Sequence, residues 1–354
     1  MIKKKSIPVF FVAVALCLFL INSCNDKENP VTMPDEEYQF DSARYNWTID
    51  TIEGYFSPIS LSCVDTNDIY FLDAYRTLIH FNGKDLITHI LPFLVLGTCV
   101  KAYTDEVYIG GSYLSSSNYN LPALLVKEGN NFRQIQLPDS NQTYRIISIE
   151  KINDNTLWFG TDNGKLIKYE SEVFQYFQFD SIYYVQVFKD NYDNVFTINS
   201  IELSDSIGNH GSKYLQIYKL VNNNFICLYS KYFEQIDDNT LTTSVIEGDI
   251  YARNTFGILK FNGSDFGNII KYPNIGTSLI FSGSGENDIL LEGLFLPYNG
   301  NSNLFHWDGT KWSNELQFFL SGIFGRSQKI KGRYVFVGPD DPIETYLIIG
   351  SLKK

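Results

Sequence analysis

The stretch Asn155-Thr156-Leu157-Trp158-Phe159-Gly160-Thr161-Asp162-Asn163-Gly164-Lys165-Leu166-Ile167-Lys168-Tyr169 decides the architecture. Asn155 ends a turn, Leu157-Trp158-Phe159 is a short apolar strand, Asp162-Asn163-Gly164 reverses the chain, and Leu166-Ile167 opens the next strand. Its core is an apolar residue followed by a large one, just after a turn. That unit recurs as Ile69-Tyr70, Val107-Tyr108, Leu157-Trp158, Val195-Phe196, Ile250-Tyr251, Ile289-Leu290 and Val335-Phe336. The second positions are spaced by 38, 50, 38, 55, 39 and 46 residues. Periods of roughly 40–50 residues with several strands per unit mark a β-propeller. The sequence therefore predicts an all-β fold, a seven-bladed β-propeller, or six blades if the weak final unit is not a blade.

Each period keeps one order of elements. A strand of mixed small and apolar residues comes first, as in Ser60 to Val64 or Ile146 to Ile149, and a tight turn such as Asp65-Thr66-Asn67-Asp68 follows. Next come the strand with the apolar–large pair and a third strand ending in Phe81-Asn82-Gly83, Phe261-Asn262-Gly263 or Trp307-Asp308-Gly309. Asn-Gly and Asp-Gly supply the positive φ that two-residue hairpins need. The fourth strand is shorter: Ile87 to Leu91, Phe132 to Leu137, Phe174 to Phe179. The last unit offers only three strands, near Ile323–Ser327, Tyr334–Val337 and Tyr346–Ile349, while a strand-like segment, Tyr45 to Ile52, precedes the first unit. That segment is expected to complete the seventh blade and remove an open sheet edge.

The quoted stretch resembles the two-component-regulator type of propeller repeat, whose pattern is a turn, Leu-Trp-aliphatic-Gly-Thr, a loop with Gly, then Leu-x-x-Tyr. Asp249 to Phe261 repeats it with Tyr251 for the Trp and Gly257 in the loop. The resemblance covers two blades, and it implies a sensor or binding module outside the cytoplasmic membrane.

Lys3, Lys4 and Lys5 precede an uncharged apolar run from Ile7 to Ile21. Fifteen helical residues rise roughly 22 Å, short of a ~30 Å hydrocarbon core, so the run reads as a signal peptide. Ile21-Asn22-Ser23-Cys24 resembles a bacterial lipobox, in which Cys24 is lipidated and becomes the first mature residue; the alternative is an ordinary signal peptide with Cys24 as a bystander. Residues to Arg44, with Asp35, Glu36, Glu37, Asp41 and two prolines, read as an acidic flexible tether. The expected layout is 1–23 lipoprotein signal peptide, 24–44 tether and 45–354 propeller. Asn25, in place of the Asp that marks inner-membrane retention, suggests a lipid anchor in the outer membrane of a cell envelope.

The chain has 28 Lys+Arg against 40 Asp+Glu, and losing the leader's three lysines leaves 25 against 40, a formal −15. Such a charge repels phosphate backbones, so nucleic acid is not an expected partner. No cofactor or metal motif is present: the sequence lacks a P-loop, H-E-x-x-H and G-x-S-x-G. His80 and His306 each stand one residue before a third-strand aromatic, so sheet positions explain them. Asp190-Asn191-Tyr192-Asp193-Asn194 reads as turn chemistry without the EF-hand ligand order. Cys63, Cys99 and Cys227 are too few and too widely spaced for a disulfide framework, and Cys63 and Cys99 read as buried thiols.

The innermost strands offer Ser60, Ser62, Cys63, Thr98, Cys99, Ser148, Gln186, Thr242, Thr243, Ser244, Ser278 and Ser282, with Asp65 and Glu150 only at strand ends. That small neutral lining argues against paired-carboxylate hydrolysis. Arg145 and Arg326 are candidates for the channel mouth. Long connections at about Ser112 to Asn120, Asn199 to Lys213 and Phe295 to Asn303 share one face. Tyr113, Tyr119, Phe295 and Tyr298 there suit stacking on sugars or gripping peptides. Two functions follow: a non-enzymatic surface-binding or scaffold lipoprotein for a glycan or a protein partner, and a carbohydrate-active enzyme on the same scaffold.

Metabolic labelling with a radioactive fatty acid tests the anchor. The wild type is expected to take up label and Cys24→Ala to stay unlabelled; equal labelling of both would end the lipoprotein reading.

Overall fold

A computed structural model describes residues 43–353 except 54–55, 75, 93, 115–119, 140–141, 181–182, 205–209, 233–241, 255–256, 273–274, 296–301, 319–325 and 340–343. Cys24 and the rest of 1–42 lie outside the described residues, as do Tyr119 and Tyr298. The described strands form seven four-stranded antiparallel sheets. Strand order follows chain order in six of them. In the seventh, Tyr45–Glu53 lies outermost, beside Glu344–Leu352, Arg333–Pro339 and Arg326–Ile330. The register runs from Tyr45↔Leu352 to Glu53↔Glu344, so the segment before the first unit closes the ring, as expected.

The innermost strands are Pro58–Asp65, Val95–Ala102, Ile146–Asn153, Tyr184–Lys189, Thr242–Ile246, Ile275–Gly285 and Arg326–Ile330. The last runs three residues past the expected end at Ser327, to Ile330. Its residues, Arg-Ser-Gln-Lys-Ile, include no apolar run to announce it. The long connections are shorter than expected as well, because the strands continue into them: Val107–Leu114 resumes at Asn120–Glu128, and Val195–Ser204 resumes at His210–Val221.

Sheets stand side by side around the axis, so successive side chains of one strand enter opposite inter-blade seams. This explains the apolar–large pair. Ile69 packs in the seam with blade seven and Tyr70 in the seam with blade two. Leu157 faces blade two and Trp158 faces blade four. Seven separate apolar clusters result, one per seam. Blade seven departs by one residue. Val335 faces blade one and Phe336 faces blade six, so the equivalent of the other pairs is Tyr334-Val335. A one-residue slip exchanges the faces of a strand, and here both faces are apolar.

The Gly-Thr of the quoted stretch has a packing cause. A Cβ on Gly160 would sit 1.9 Å from the Val185 carbonyl oxygen of blade four. Thr161 Oγ1 accepts from Lys165 N at 3.0 Å and donates to Lys165 O at 2.8 Å, closing the hairpin.

The closing strand is also held at its start. The backbone amides of Arg44 and Tyr45 donate to the Glu315 carboxylate of blade six at 2.9 Å, and the Arg44 guanidinium pairs with Asp308. Tyr45 and Ile52 are buried in two different seams. At roughly 1.5–3 kcal/mol per buried large side chain, the strand contributes about 5 kcal/mol. Deleting Met1 to Asp41 is expected to leave thermal unfolding unchanged, and deleting through Thr51 to lower the melting temperature sharply. Equal melting of the two truncations would refute the closure.

Candidate functional site: the channel mouth

An innermost strand has a sheet partner on one side only, and its other edge faces the channel. Backbone amides there still need partners. Four of the small hydroxyls expected to line the channel meet such needs across the seams. Ser60 Oγ accepts from Val100 N of blade two at 3.0 Å, and Ser62 Oγ from Ala102 N at 2.9 Å. Ser148 Oγ accepts from Val187 N of blade four at 3.0 Å, and Thr98 donates to the Ile146 carbonyl. Gln328 Oε1 carries the pattern from blade seven to blade one, accepting from Cys63 N at 2.9 Å. Cys63 and Cys99 turn into different seams, buried and unbridged. Burial pushes the Cys99 thiol up to about 12.

Because strands alternate in direction, the turns from first to second and from third to fourth strand share one face. We term this the turn face. The connections between second and third strands, and between blades, emerge opposite. The channel opens on the turn face as a cavity of about 670 Å³, with Gln186, Thr243, Ser282 and Gln328 on its wall. Lys101, Glu150, Lys189, Asp190, Glu247 and Lys329 ring its rim. Two further depressions flank it. One, of about 750 Å³, meets it at Lys189 and is lined by Tyr103 to Glu106 and Lys151 to Asp154. The other, of about 460 Å³, shares Asp190, Asn191, Glu247 and Gly248 with it and holds Tyr192 and Phe196. Together they make one furrow across blades two to five. Gly248 (φ +85°) lets two turns meet there, since its Cβ would lie 2.6 Å from Asp190 Cα.

Most charges on this face are spent in pairs. Lys101 Nζ lies 2.9 Å from Glu150, Lys151 Nζ 2.8 Å from Glu106, Lys189 Nζ 2.9 Å from Asp193 and Lys260 Nζ 2.7 Å from Asp249. Asp190 is occupied by its own turn, accepting from Tyr192 N, Asn194 N and Asn194 Nδ2 at 2.7–2.9 Å. Lys329 touches Asp288, lies 3.2 Å from Ser284 Oγ and sits 4.7 Å over the Tyr334 ring. Burial pulls its ammonium down to about 8, against the opposing pull of Glu247, and the touching Asp288 carboxylate also favours the charged form. Among the described residues no cluster of three or more His, Cys, Asp or Glu is arranged to hold a metal.

Of the residues singled out from sequence, the described Arg145, Arg326 and Tyr113 do not line this mouth. The Arg145 guanidinium is bonded to Asp162 at 2.6 Å, and Arg145 N donates to the same carboxylate at 2.7 Å. Arg326 Nε donates to the Ile59 carbonyl at 2.6 Å. Both start innermost strands at the face opposite the turn face. Tyr113 lies in a strand, half-buried in the seam of blades one and two. Phe295 ends the strand Asp288–Phe295, and its side chain lies outside the described residues. Glu247 and Lys329 went unremarked in sequence. The Glu247-Gly248 turn signal marks the first, but Lys329 lies beyond the expected end of its strand at Ser327.

The histidines serve the sheets. His80 Nε2 bonds Asp68 at 2.7 Å and the ring stacks on Tyr70 at 4.1 Å. His306 Nε2 bonds Asp288 Oδ1 at 2.8 Å, which also accepts from Tyr334 OH at 2.7 Å. His306 Nδ1 is buried without a partner, so a second proton there would be an unbonded donor. Burial accordingly lowers its pKa from 6.5 to about 4, with Glu315 and Asp308 opposing and Arg44 assisting. The folded value lies below the unfolded one. The contribution is complete above pH 6.5 and is lost as pH falls from 6.5 towards 4, up to about 3 kcal/mol. The melting temperature is expected to fall further between pH 7 and pH 4 in the wild type than in His306→Gln; equal falls would show that His306 is not held neutral.

No protein-family model matches the chain, and no curated protein sequence matches it. Solved structures do. YCF48 bound to a D1 peptide is similar with a TM-score of 0.64 at 13% identity, over 89% of this chain and 100% of that one. YCF48 from Cyanidioschyzon merolae is similar at 0.59 and 12%, over 85% and 98%. The WD40 β-propeller domain of Doa1 is similar at 0.53 and 12%, over 88% and 98%. At such identities the likeness shows the fold alone. The chain is a seven-bladed β-propeller.

Proposed function

We propose that this chain is a lipid-anchored binding module of the cell envelope that engages a protein partner through the turn face. The observation that carries the reading is the continuous furrow centred on the channel mouth. Insertion of an extended segment into such a cleft is the ordinary way a rigid scaffold recognises a peptide. One similar structure holds YCF48 with a D1 peptide, which supports a peptide over a glycan as the occupant here. The rim carboxylates support binding over hydrolysis: Glu150 is tied to Lys101, and Asp190 to its own turn. The resemblance of blades three and five to the sensor-type repeat agrees with a site outside the cytoplasmic membrane. Cys24 supplies the anchor, in the outer membrane.

The test is a peptide library and a glycan array offered to the same full chain, with reducing-sugar release measured in parallel. Peptide binding without turnover is expected. Gln186→Trp, which fills the mouth, should weaken it about tenfold, or ~1.4 kcal/mol. Glycan binding alone, sugar release, or peptide affinity indifferent to Gln186→Trp would each reject the reading.

A further inference from the structure

The lysines around the mouth and along the furrow are matched by carboxylates, as described above. Among the described residues the exception is Lys219, which lies 5.4 Å over the Phe196 ring at the furrow's outer end. The carboxylates are not all matched in return. Asp105 and Glu247 make no ion pair within 4 Å, Glu247 acting on Lys329 only from farther off, and Asp154 is almost fully exposed, 3.5 Å from a Lys151 already held closer by Glu106. The furrow therefore carries surplus carboxylate at its Asp105–Asp154 end and at the mouth, within a chain of formal charge −12.

Two features independent of that charge point to an occupant. Ser282 lines the mouth, and its Oγ is buried with no hydrogen-bond partner. A nearly buried hydroxyl on a cavity wall, with no partner in the protein, is an incomplete site. Tyr192, at the rim where the mouth meets the outer depression, is 86% exposed. An open aromatic face beside surplus carboxylates is the arrangement that receives an ammonium or guanidinium.

Resting on the peptide-binding reading above, we propose that the furrow takes an extended basic segment of a protein partner, with one lysine or arginine side chain seated in the channel mouth. Glu247 faces its charge, Ser282 Oγ accepts one of its hydrogens, and Tyr192 covers the next basic residue outward. Lys329 does not repel it, because Asp288 neutralises that amine within the wall. Long-range attraction by the acidic chain speeds the encounter.

Fluorescent peptides of one length, lysine/arginine-rich, aspartate/glutamate-rich and neutral, are titrated into the full chain at about 0.1 M and about 1 M salt, where screening lengths are roughly 10 and 3 Å. The basic peptide is expected to bind at least about tenfold more tightly than the other two and to weaken at high salt. Glu247→Gln and Tyr192→Ala should each weaken it about fivefold without moving the melting temperature. Equal or tighter binding of the acidic or neutral peptide overturns this inference and leaves the peptide-binding reading standing. Binding of none of the three overturns both. Basic-peptide binding that survives both substitutions overturns the placement in the furrow.

Discussion

The constraint on which the rest depends is the unpaired inner edge of each blade. A sheet that ends at a channel leaves amides and carbonyls without partners, at a penalty of about 1–3 kcal/mol for each buried one left unmet. At four seams the preceding blade meets that need with a serine, a threonine or a glutamine. Ser60 and Ser62 reach blade two, Ser148 reaches blade four and Gln328 reaches blade one. Those residues, with the look of a ligand-binding lining, are mortar between blades. Binding is left to the turns of the rim and to wall residues not spent in this way, such as Ser282, whose Oγ has no partner among the described residues.

The same economy shapes the polar cluster between blades six and seven. Asp288 is reached by His306, Tyr334, Lys329 and Ser284 at once. One carboxylate organises a seam that also receives the first residues of the closing strand through Glu315. A buried network of this kind is sound only when each member is satisfied. The bare Nδ1 of His306 is tolerable because the ring is neutral there.

What the sequence made legible follows from how many seams a residue serves. The apolar–large pairs stand out because both neighbours are buried, on opposite sides, so neither position tolerates a polar residue. The closing strand was visible because the last unit offers only three strands while Tyr45 to Ile52 stands unassigned before the first, with Tyr45 and Ile52 now buried in opposite seams. Blade seven was misread by one residue for the opposite reason. Tyr334, Val335, Phe336 and Val337 are all apolar, so period-2 phase is undetermined until the neighbouring blades are in place. The innermost strand of blade seven is expected near Ile323–Ser327 but runs on to Ile330, because Ser327, Gln328 and Lys329 give no apolar signal to extend it, and so Gln328 and Lys329 fell outside it. The furrow was invisible because it joins turns from blades two to five, whose residues are far apart in the chain.

The fastening between Tyr45–Glu53 and Glu344–Leu352 also sets an order of events. Asn46 and Ser351 meet across 305 positions, so the first strand to be made is the last to find its partner. At 5–20 residues per second, synthesis alone separates the two by about 15–60 s. During that interval the strand is a loose ribbon with two open edges. Its alternation of Asn46, Thr48 and Asp50 with bulkier residues keeps it a poor template for self-association. The blades between are spared such waiting, since each is built from consecutive hairpins. Maturation of this ring is then a latch closing on an otherwise assembled body, and the latch strand is where a chaperone would have its longest opportunity to act.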